Sequence, residues 1–466
     1  MNKAAQTAVI ATAAPVPVPT HARSSFARLP GPSLFIFSML AVIFILFNTV
    51  FEPSNMPAIP LVGGAHMFIQ DVLLWLLLLF GLFAKLNNSR TAITTPLSKY
   101  IAFFVFIVVV ESIYAVVALD RPLFSVYNDS KSFFYYLLFF PVIWSFGTEK
   151  GVNWIIKLWA VLALLGALLF VYQFFFGELA ILQKYDWLYS NSVQVGTGGL
   201  NSVVVDYARL ISQGTVLFRI MLFVAFCMWL FPTGRHRRWW GLLALLLAVQ
   251  VMLQFTRGMY VTTVLALLVM PFIVRERKVS AKIRNILVLS VFAIGVMLIY
   301  KTIFTSSGSG QYNLLGFIGE RFFRGVTEMG QDTSLQGRVE GADYLFGKMD
   351  GNWLFGLGFG SGLVYGDSTL VSLLVKTGLV GTTVFAVMFY HACVRALRRF
   401  RHLDNPVHKA LMLALLISTV RHLINGITPS DFALDSRIAA LIVSVALMEI
   451  IGRRCATTKI QQAPSQ

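Results

Sequence analysis

Charge is what this chain has least of: Asp, Glu, Lys and Arg make up 13% of its 466 residues, against 57% hydrophobic ones. A soluble globular domain carries about 25% charged residues, so the shortage excludes a soluble protein and leaves a polytopic membrane protein. Acidic residues are scarcer than basic ones, 21 Asp and Glu against 38 Lys and Arg. Cysteine is nearly missing. Cys227, Cys393 and Cys455 all fall in or near the inner half of the expected topology, where thiols stay reduced, and no disulfide is expected. No internal repeat is evident by eye. Residues 1–33, rich in Ala, Pro and Thr, lack the compact apolar core and small-residue cleavage site of a signal peptide, which predicts a disordered cytoplasmic tail. The outer segments hold no paired-carboxylate metal site, so neither metal dependence nor a cofactor is expected.

Long apolar runs fill the rest. Twelve windows approach the length needed to cross about 30 Å of hydrocarbon as helices. They lie near 34–51, 67–85, 99–119, 130–147, 154–177, 210–231, 239–254, 258–274, 285–304, 368–391, 409–425 and 437–452. The expected fold is therefore all-α: a polytopic helical bundle of about 12 transmembrane helices in a lipid bilayer, with one long outer loop carrying short amphipathic helices. Its organisation reads as a tail at 1–33, nine helices over 34–304, the loop at 305–367, three helices over 368–452 and a tail at 453–466. With both termini cytoplasmic, most of the Lys and Arg falls in inner segments, as in Arg235, Arg237 and Arg238, in Arg275 to Arg284, and in Arg395 to Lys409. Much of the +17 net charge is thus an orientation signal, and no nucleic-acid partner is expected.

Function is sought in the two long outer segments, 178–209 and 302–366. The second opens on Ser306-Ser307-Gly308-Ser309-Gly310. It continues with Leu314, Phe317, Ile318 and Phe322 at helical spacing, which predicts a helix lying on the outer surface with Arg321 and Arg324 toward water or phosphate. A short helix starts over Ser334 to Arg338. The run Gly356-Leu357-Gly358-Phe359-Gly360 is no stable helix interior; it is either a flexible connector or a place where backbone approaches a ligand closely. The stretch from Arg338 to Gly381 feeds an apolar helix and sets Arg338, Asp343 and Asp367 at the mouth of the bundle, where charge is costly and tends to be functional.

More cations gather at the same face. Arg257 sits in a turn between two helices, Arg421 and His422 begin the outer loop 421–437, and Arg209 ends the loop before the sixth helix. Arg219 lies about 13–15 Å further into the membrane and needs an anion there: Glu111 or Asp71 in an ion pair, or a substrate. The planar arginine fork donates two hydrogen bonds to one phosphate and keeps its charge. Each arginine alone also reads as a lipid-phosphate anchor; their convergence with a carboxylate suggests a lipid-linked diphosphate. Asp367 reads either as the N-cap of the helix that follows or as a general base, with His422 as the alternative base.

These residues resemble the O-antigen ligase and polysaccharide polymerase superfamily of bacterial envelopes. Thr256-Arg257-Gly258 is similar to the family's Ser-Arg-Gly turn, and Asn352-Trp353-Leu354-Phe355-Gly356-Leu357-Gly358 to its P-L-x-G-x-G. Lys376-Thr377-Gly378-Leu379-Val380-Gly381 looks like its G-L-x-G element. The likeness covers roughly 200–450. It implies a metal-independent glycosyltransferase in the inner membrane, with its active site on the periplasmic face. The donor would be an undecaprenyl or other polyprenyl diphosphate-linked oligosaccharide, and the acceptor a glycan or lipid A-core. A chain-length regulator is a further expected partner. Arg338, Arg257, Arg421, Arg219 and Arg209 would hold the diphosphate, and Asp367, Arg338 and His422 would serve catalysis. The ligases carry a His-Asn pair eleven residues before the glycine matching Gly378, where this chain has Asp367-Ser368. That difference favours a polymerase of O-antigen, capsule or exopolysaccharide repeat units over a ligase or a protein O-oligosaccharyltransferase. A transporter using Asp71, Glu111 and Arg219 as coupling charges is the alternative of another class.

Overall fold

A computed structural model of the chain describes residues 58–60, 66–87, 95–176, 192–194, 209–211, 215–231, 234–253, 257–274, 276–287, 333–363, 368–426 and 435–462. The span expected at 34–51, most of that at 285–304, the surface helix around Leu314 to Phe322, and Asp367 lie outside them. The described residues are mostly helical. Thirteen α-helices follow one another among them: α1 Ile69–Asn87, α2 Pro96–Val117, α3 Leu123–Phe134, α4 Phe139–Phe146, α5 Glu149–Phe176, α6 Thr215–Leu230, α7 Arg237–Leu253, α8 Arg257–Ile273, α9 277–287, α10 Thr333–Met349, α11 Thr369–Phe400, α12 Pro406–Asn425 and α13 Asp435–Gln462. A 3₁₀ turn, Tyr135–Leu138, joins α3 to α4. The helix expected at 130–147 therefore begins earlier, at Leu123, and changes pitch midway.

Among the described residues, four helices are long and apolar enough to cross a membrane: Pro96–Val117, Glu149–Tyr172, Thr369–Phe400 and Pro406–Asn425. Shorter apolar helices lie at Ile69–Phe83, Val216–Leu230 and Val261–Ile273. A membrane reading also fits the outward faces. On α2, Phe103, Phe106, Val110, Ile113 and Val117 are all exposed, a stripe that water would penalise and lipid would not. Among the described residues, two small antiparallel strand pairs qualify the all-α expectation: β1 Ala58–Pro60 pairs with β2 His66–Phe68, and β3 Ser192–Gln194 with β4 Arg209–Ile211. Strands of three residues leave little period for a sequence reading to detect.

Local signals explain where the helices start. Thr95 and Ser98 form a reciprocal capping box, with Ser98 N–H donating to Thr95 Oγ1 at 2.9 Å and Thr95 N–H to Ser98 Oγ at 3.2 Å, and Pro96 opens α2. Asn405 Oδ1 accepts from Val407 N–H at 2.8 Å, and Pro406 opens α12. The middle of α12, 410–419, and the stretch 438–452 of α13 are buried on every side; helices apolar all round belong at the centre of a bundle. Around them pack α6, α8, α11 and α4. The seam of α2, Leu97, Ile101, Phe104, Val108, Glu111 and Ala115, faces inward. Phe104 there lies 5.1 Å from Tyr136 and 5.7 Å from Phe385 by ring centroids, which pins α11 against α2 and the 3₁₀ turn. Cys227 and Cys393 are free thiols.

At the basic end of the bundle, Lys409 of α12 donates to Glu276, just before α9. Burial raises the Glu276 pKa, but the Lys409 hydrogen bond and charge outweigh it, leaving the pKa below its ordinary 4.5. A carboxyl depressed on folding stabilises at pH above 4.5 and loses that contribution as pH falls through its folded value. The melting temperature of wild type should therefore exceed that of Glu276→Gln at pH 7, and the gap should close on acidification below 4.5; a gap independent of pH would refute the assignment.

Candidate functional site

The site forms where the glycine-rich loop after α10 meets a break in α11. α11 is two helices joined at Gly378, whose φ of 61° and ψ of −164° are not helical. A break deprives both halves of backbone partners, and in hydrocarbon each orphan group is expensive. The loop supplies them. Leu379 N–H donates to Trp353 O at 2.8 Å and Val380 N–H to Leu354 O at 3.2 Å, satisfying the start of the second half. Leu357 N–H donates to Val375 O at 2.7 Å, satisfying the end of the first. A β-carbon on Gly378 would lie 2.2 Å from Leu354 O, and one on Gly356 would lie 2.6 Å from Val375 O. Both glycines also hold positive φ, so the close approach and the turn both demand them.

The rest of the loop is fastened at several points. Gly358 passes over Ala115 and Leu119 at the end of α2, and Gly360 over Val126 of α3. Phe359 is fully buried, its ring 5.6 Å from Phe133. Gly360 N–H donates to Asp129 Oδ2 at 2.9 Å, and the other oxygen of Asp129 pairs with Lys376, on the turn before the break. Beneath α10, Leu345 and Met349 pack on Val375. Lys376 and Asp129 are thus a half-buried pair that ties α3, the loop and α11 together, each charge offsetting the cost of the other's desolvation. Two residues further along α3, Lys131 pairs with Asp71 at 3.3 Å, while Tyr135 OH and Phe68 N–H donate to the same carboxylate at 2.9 and 3.0 Å.

This arrangement revises several expectations. Asp71 is committed to Lys131, Tyr135 and Phe68, and Glu111 keeps a buried Oε2 without a hydrogen-bond partner, so neither forms the anticipated pair with Arg219. Arg219 itself stands four residues into α6, about 6 Å from its start, because residues 209–211 form a strand and the helix begins only at Thr215. Arg421 and His422 do not begin a loop: they are fully buried in the last turns of α12, with Arg421 Nε donating to Thr263 Oγ1 at 3.2 Å and His422 Nδ1 2.7 Å from Ser418 O. Apolar flanks end at Arg421 in the sequence, but the helix runs four residues further and closes on Gly426. The capping role expected of Asp367, which lies outside the described residues, falls to its neighbour at the start of α11. That neighbour is Ser368, its hydroxyl accepting from Val371 N–H at 3.4 Å. Asp343 lies on α10.

Some of the anticipated residues do come together. Thr369 N–H donates to Gly426 O at 3.1 Å, which brings the end of α12, with Arg421 and His422, to the start of α11. α12 also packs on α6, which carries Arg219, and on α8, which begins at Arg257. Arg338 lies on α10, and Arg209 on β4; their side chains, like that of Arg257, fall outside the described residues. The expected site residues include neither Asp129 nor Lys131, which stand at the start of the span expected at 130–147. The signal was Lys376, an intramembrane lysine that needs a carboxylate. No group of His, Cys, Asp or Glu among the described residues is placed to hold a metal ion. No protein-family model matches this chain, and no curated protein matches it.

Proposed function

We propose that the protein is a bacterial envelope glycosyltransferase that polymerises polyprenyl diphosphate-linked repeat units at the outer face of the inner membrane. The observation that supports this reading is the seating of Trp353 to Gly360 on the break at Gly378. The two glycine motifs behind the family resemblance are packed against each other at the break in α11. In this reading the lipid tail stays in the bilayer and the diphosphate lies between Arg257 and Arg338, with the buried Arg421 and Arg219, and Arg209, contributing to the field. Asp367 is the favoured base over His422. Ser368 relieves Asp367 of the capping role, whereas His422 is fully buried with Nδ1 at a backbone carbonyl.

The step follows from those roles. Asp367 takes the proton of an acceptor sugar hydroxyl, the oxygen bonds to the anomeric carbon, and the bond from that carbon to the diphosphate oxygen breaks. The arginines stabilise the charge gathering on the leaving diphosphate. A single displacement inverts the anomeric centre.

A transporter is the second reading, favoured by the broken α11 and the buried carboxyl of Glu111, both frequent in transport proteins. The loop weakens it, because it satisfies the backbone at the break that a transported ligand would need. Purified protein incubated with polyprenyl diphosphate-linked repeat units tests both. Wild type should build a ladder of products, while Arg338→Ala and Asp367→Asn should lose most of it, a drop of about 10²-fold or more for a base or a leaving-group contact. A single transfer that appears only with added lipid A-core would make it a ligase. Folded protein inert in both assays would leave the transporter reading.

A further inference from the structure

The turn between α2 and α3 carries a cation that the proposed reaction does not use. α2 runs antiparallel to α11, with Tyr100 4.9 Å from His391 and Phe104 5.7 Å from Phe385 by ring centroids. Equal steps along the two chains from Phe104 and Phe385 lead to Arg121 and to Ser368, so the turn stands at the end of the bundle where α11 begins. The glycine-rich loop seats on both sides of it. Gly358 lies against Ala115 and Leu119 before Arg121, and Gly360 against Ser125 and Val126 after it.

The backbone fixes where the Arg121 side chain starts. Asp120 takes a φ of 51°, left-handed backbone that an L residue adopts at a cost, and Arg121 N–H donates to Ala115 O at 3.0 Å. Pro122 follows at the N-cap of α3, its carbonyl accepting from Ser125 and Val126. The side chain itself has no such fastening. Among the described residues Arg121 takes part in no ion pair, and its Nε is buried with no acceptor. The carboxylates of α1 and α3 are committed elsewhere: Asp71 to Lys131, Tyr135 and Phe68, and Asp129 to Lys376 and Gly360. A buried donor without an acceptor is rare enough to demand a reason, and for a guanidinium the reason is an anion.

We propose that Arg121 is a further diphosphate-binding residue, its forked N–H groups donating to phosphate oxygens of the polyprenyl diphosphate donor beside the glycine-rich loop. The choice of that donor rests on the glycosyl-transfer reading above. Arginine suits the task because it keeps its charge and offers two parallel donors to one phosphate. As the bond from the diphosphate to the anomeric carbon breaks, the same contact takes up the charge that gathers on the leaving group. The enclosed Nε sets Arg121 apart from an arginine that only reaches for phospholipid headgroups, whose whole charged head stays in the wet interface.

The full chain in phosphatidylcholine nanodiscs, titrated with undecaprenyl diphosphate and read by native mass spectrometry, tests it. Arg121→Gln should weaken binding about 10- to 100-fold, the loss of one or two charge-assisted hydrogen bonds. It should also melt with wild type, because the side chain it removes holds nothing else together. Arg121→Lys, which keeps the charge and loses the fork, should fall between the two. Arg398→Gln, at an exposed position on the far end of α11, should bind as wild type does. If Arg121→Gln fails to fold, Arg121→Lys alone must show the weakening. Unchanged affinity in the Arg121 variants overturns the proposal, as does a wild type that does not bind undecaprenyl diphosphate. Competition by phosphatidylglycerol or by inorganic diphosphate as strong as by undecaprenyl diphosphate itself also overturns it, by assigning Arg121 to an ordinary phospholipid or to a free anion. The ladder assay separates this result from the reaction. Protein that binds through Arg121 yet builds no ladder keeps the site and loses the polymerase reading, whereas a ladder built by wild type with binding indifferent to Arg121 keeps the reading and loses the site.

Discussion

Replacing Gly378 by alanine should destabilise the protein by about 3–5 kcal/mol, among the largest effects a single methyl group produces. Two costs add. Holding a β-carbon at a φ of 61° costs about 1–2 kcal/mol in the left-handed region. The same carbon would sit 2.2 Å from Leu354 O, so the loop has to withdraw and give up its three hydrogen bonds to α11, each worth about 0.5–1.5 kcal/mol. Gly362 is the control. Its φ is 72°, but a β-carbon there meets nothing within 4 Å, so Gly362→Ala should cost only the backbone strain, about 1 kcal/mol. Thermal melts of the two variants in one detergent decide the matter, and a Gly378→Ala protein that melts with wild type would mean the break is not held as described.

The second large effect concerns Lys376 and Asp129. Lys376→Met strands a carboxylate whose side chain is 20% exposed and which keeps, among the described residues, the Gly360 amide as its hydrogen-bond donor. Breaking a buried pair by removing one partner costs about 3–5 kcal/mol, and the partial exposure of Asp129 lowers this to roughly 1–3 kcal/mol. Adding Asp129→Asn should recover part of the loss, because no uncompensated charge then remains. A double-mutant cycle should give a coupling of about 1 kcal/mol or more. Strict additivity would show that the two side chains do not act as a pair. If the loop forms the catalytic mouth, Lys376→Met should also lower glycan transfer at temperatures where the protein is still folded, since a loop displaced by about 1 Å costs roughly 10²-fold in a positioned reaction.

Particular residues show how far the sequence could be read. The helices α7 and α12 sit close to their expected spans because long apolar runs bounded by Arg237 and by Asn405-Pro406 leave little freedom in hydrocarbon. The loop run of Gly356, Gly358 and Gly360 was legible as non-helical, since glycine at every second position opposes a helix. Its alternatives, connector or ligand approach, were both incomplete: the close approach is to α11 of the same chain. Helix ends were less legible. Charge following an apolar stretch places Arg421 and His422 at the start of a loop, whereas burial within the bundle lets the helix continue past them. Asp367 and Ser368 are both good caps, and only the backbone decides that Ser368 acts.

Composition is enough to set the apolar environment and the kind of element, because hydrocarbon leaves a chain with so few charges little choice but helices. The tertiary structure alone decided which polar groups meet. Asp129 and Lys376 stand 247 residues apart, and nothing in local periodicity couples positions so distant. Their pairing follows from the cost of leaving either charge alone in a low-dielectric interior, which only the packing of α3 against the loop and α11 can relieve.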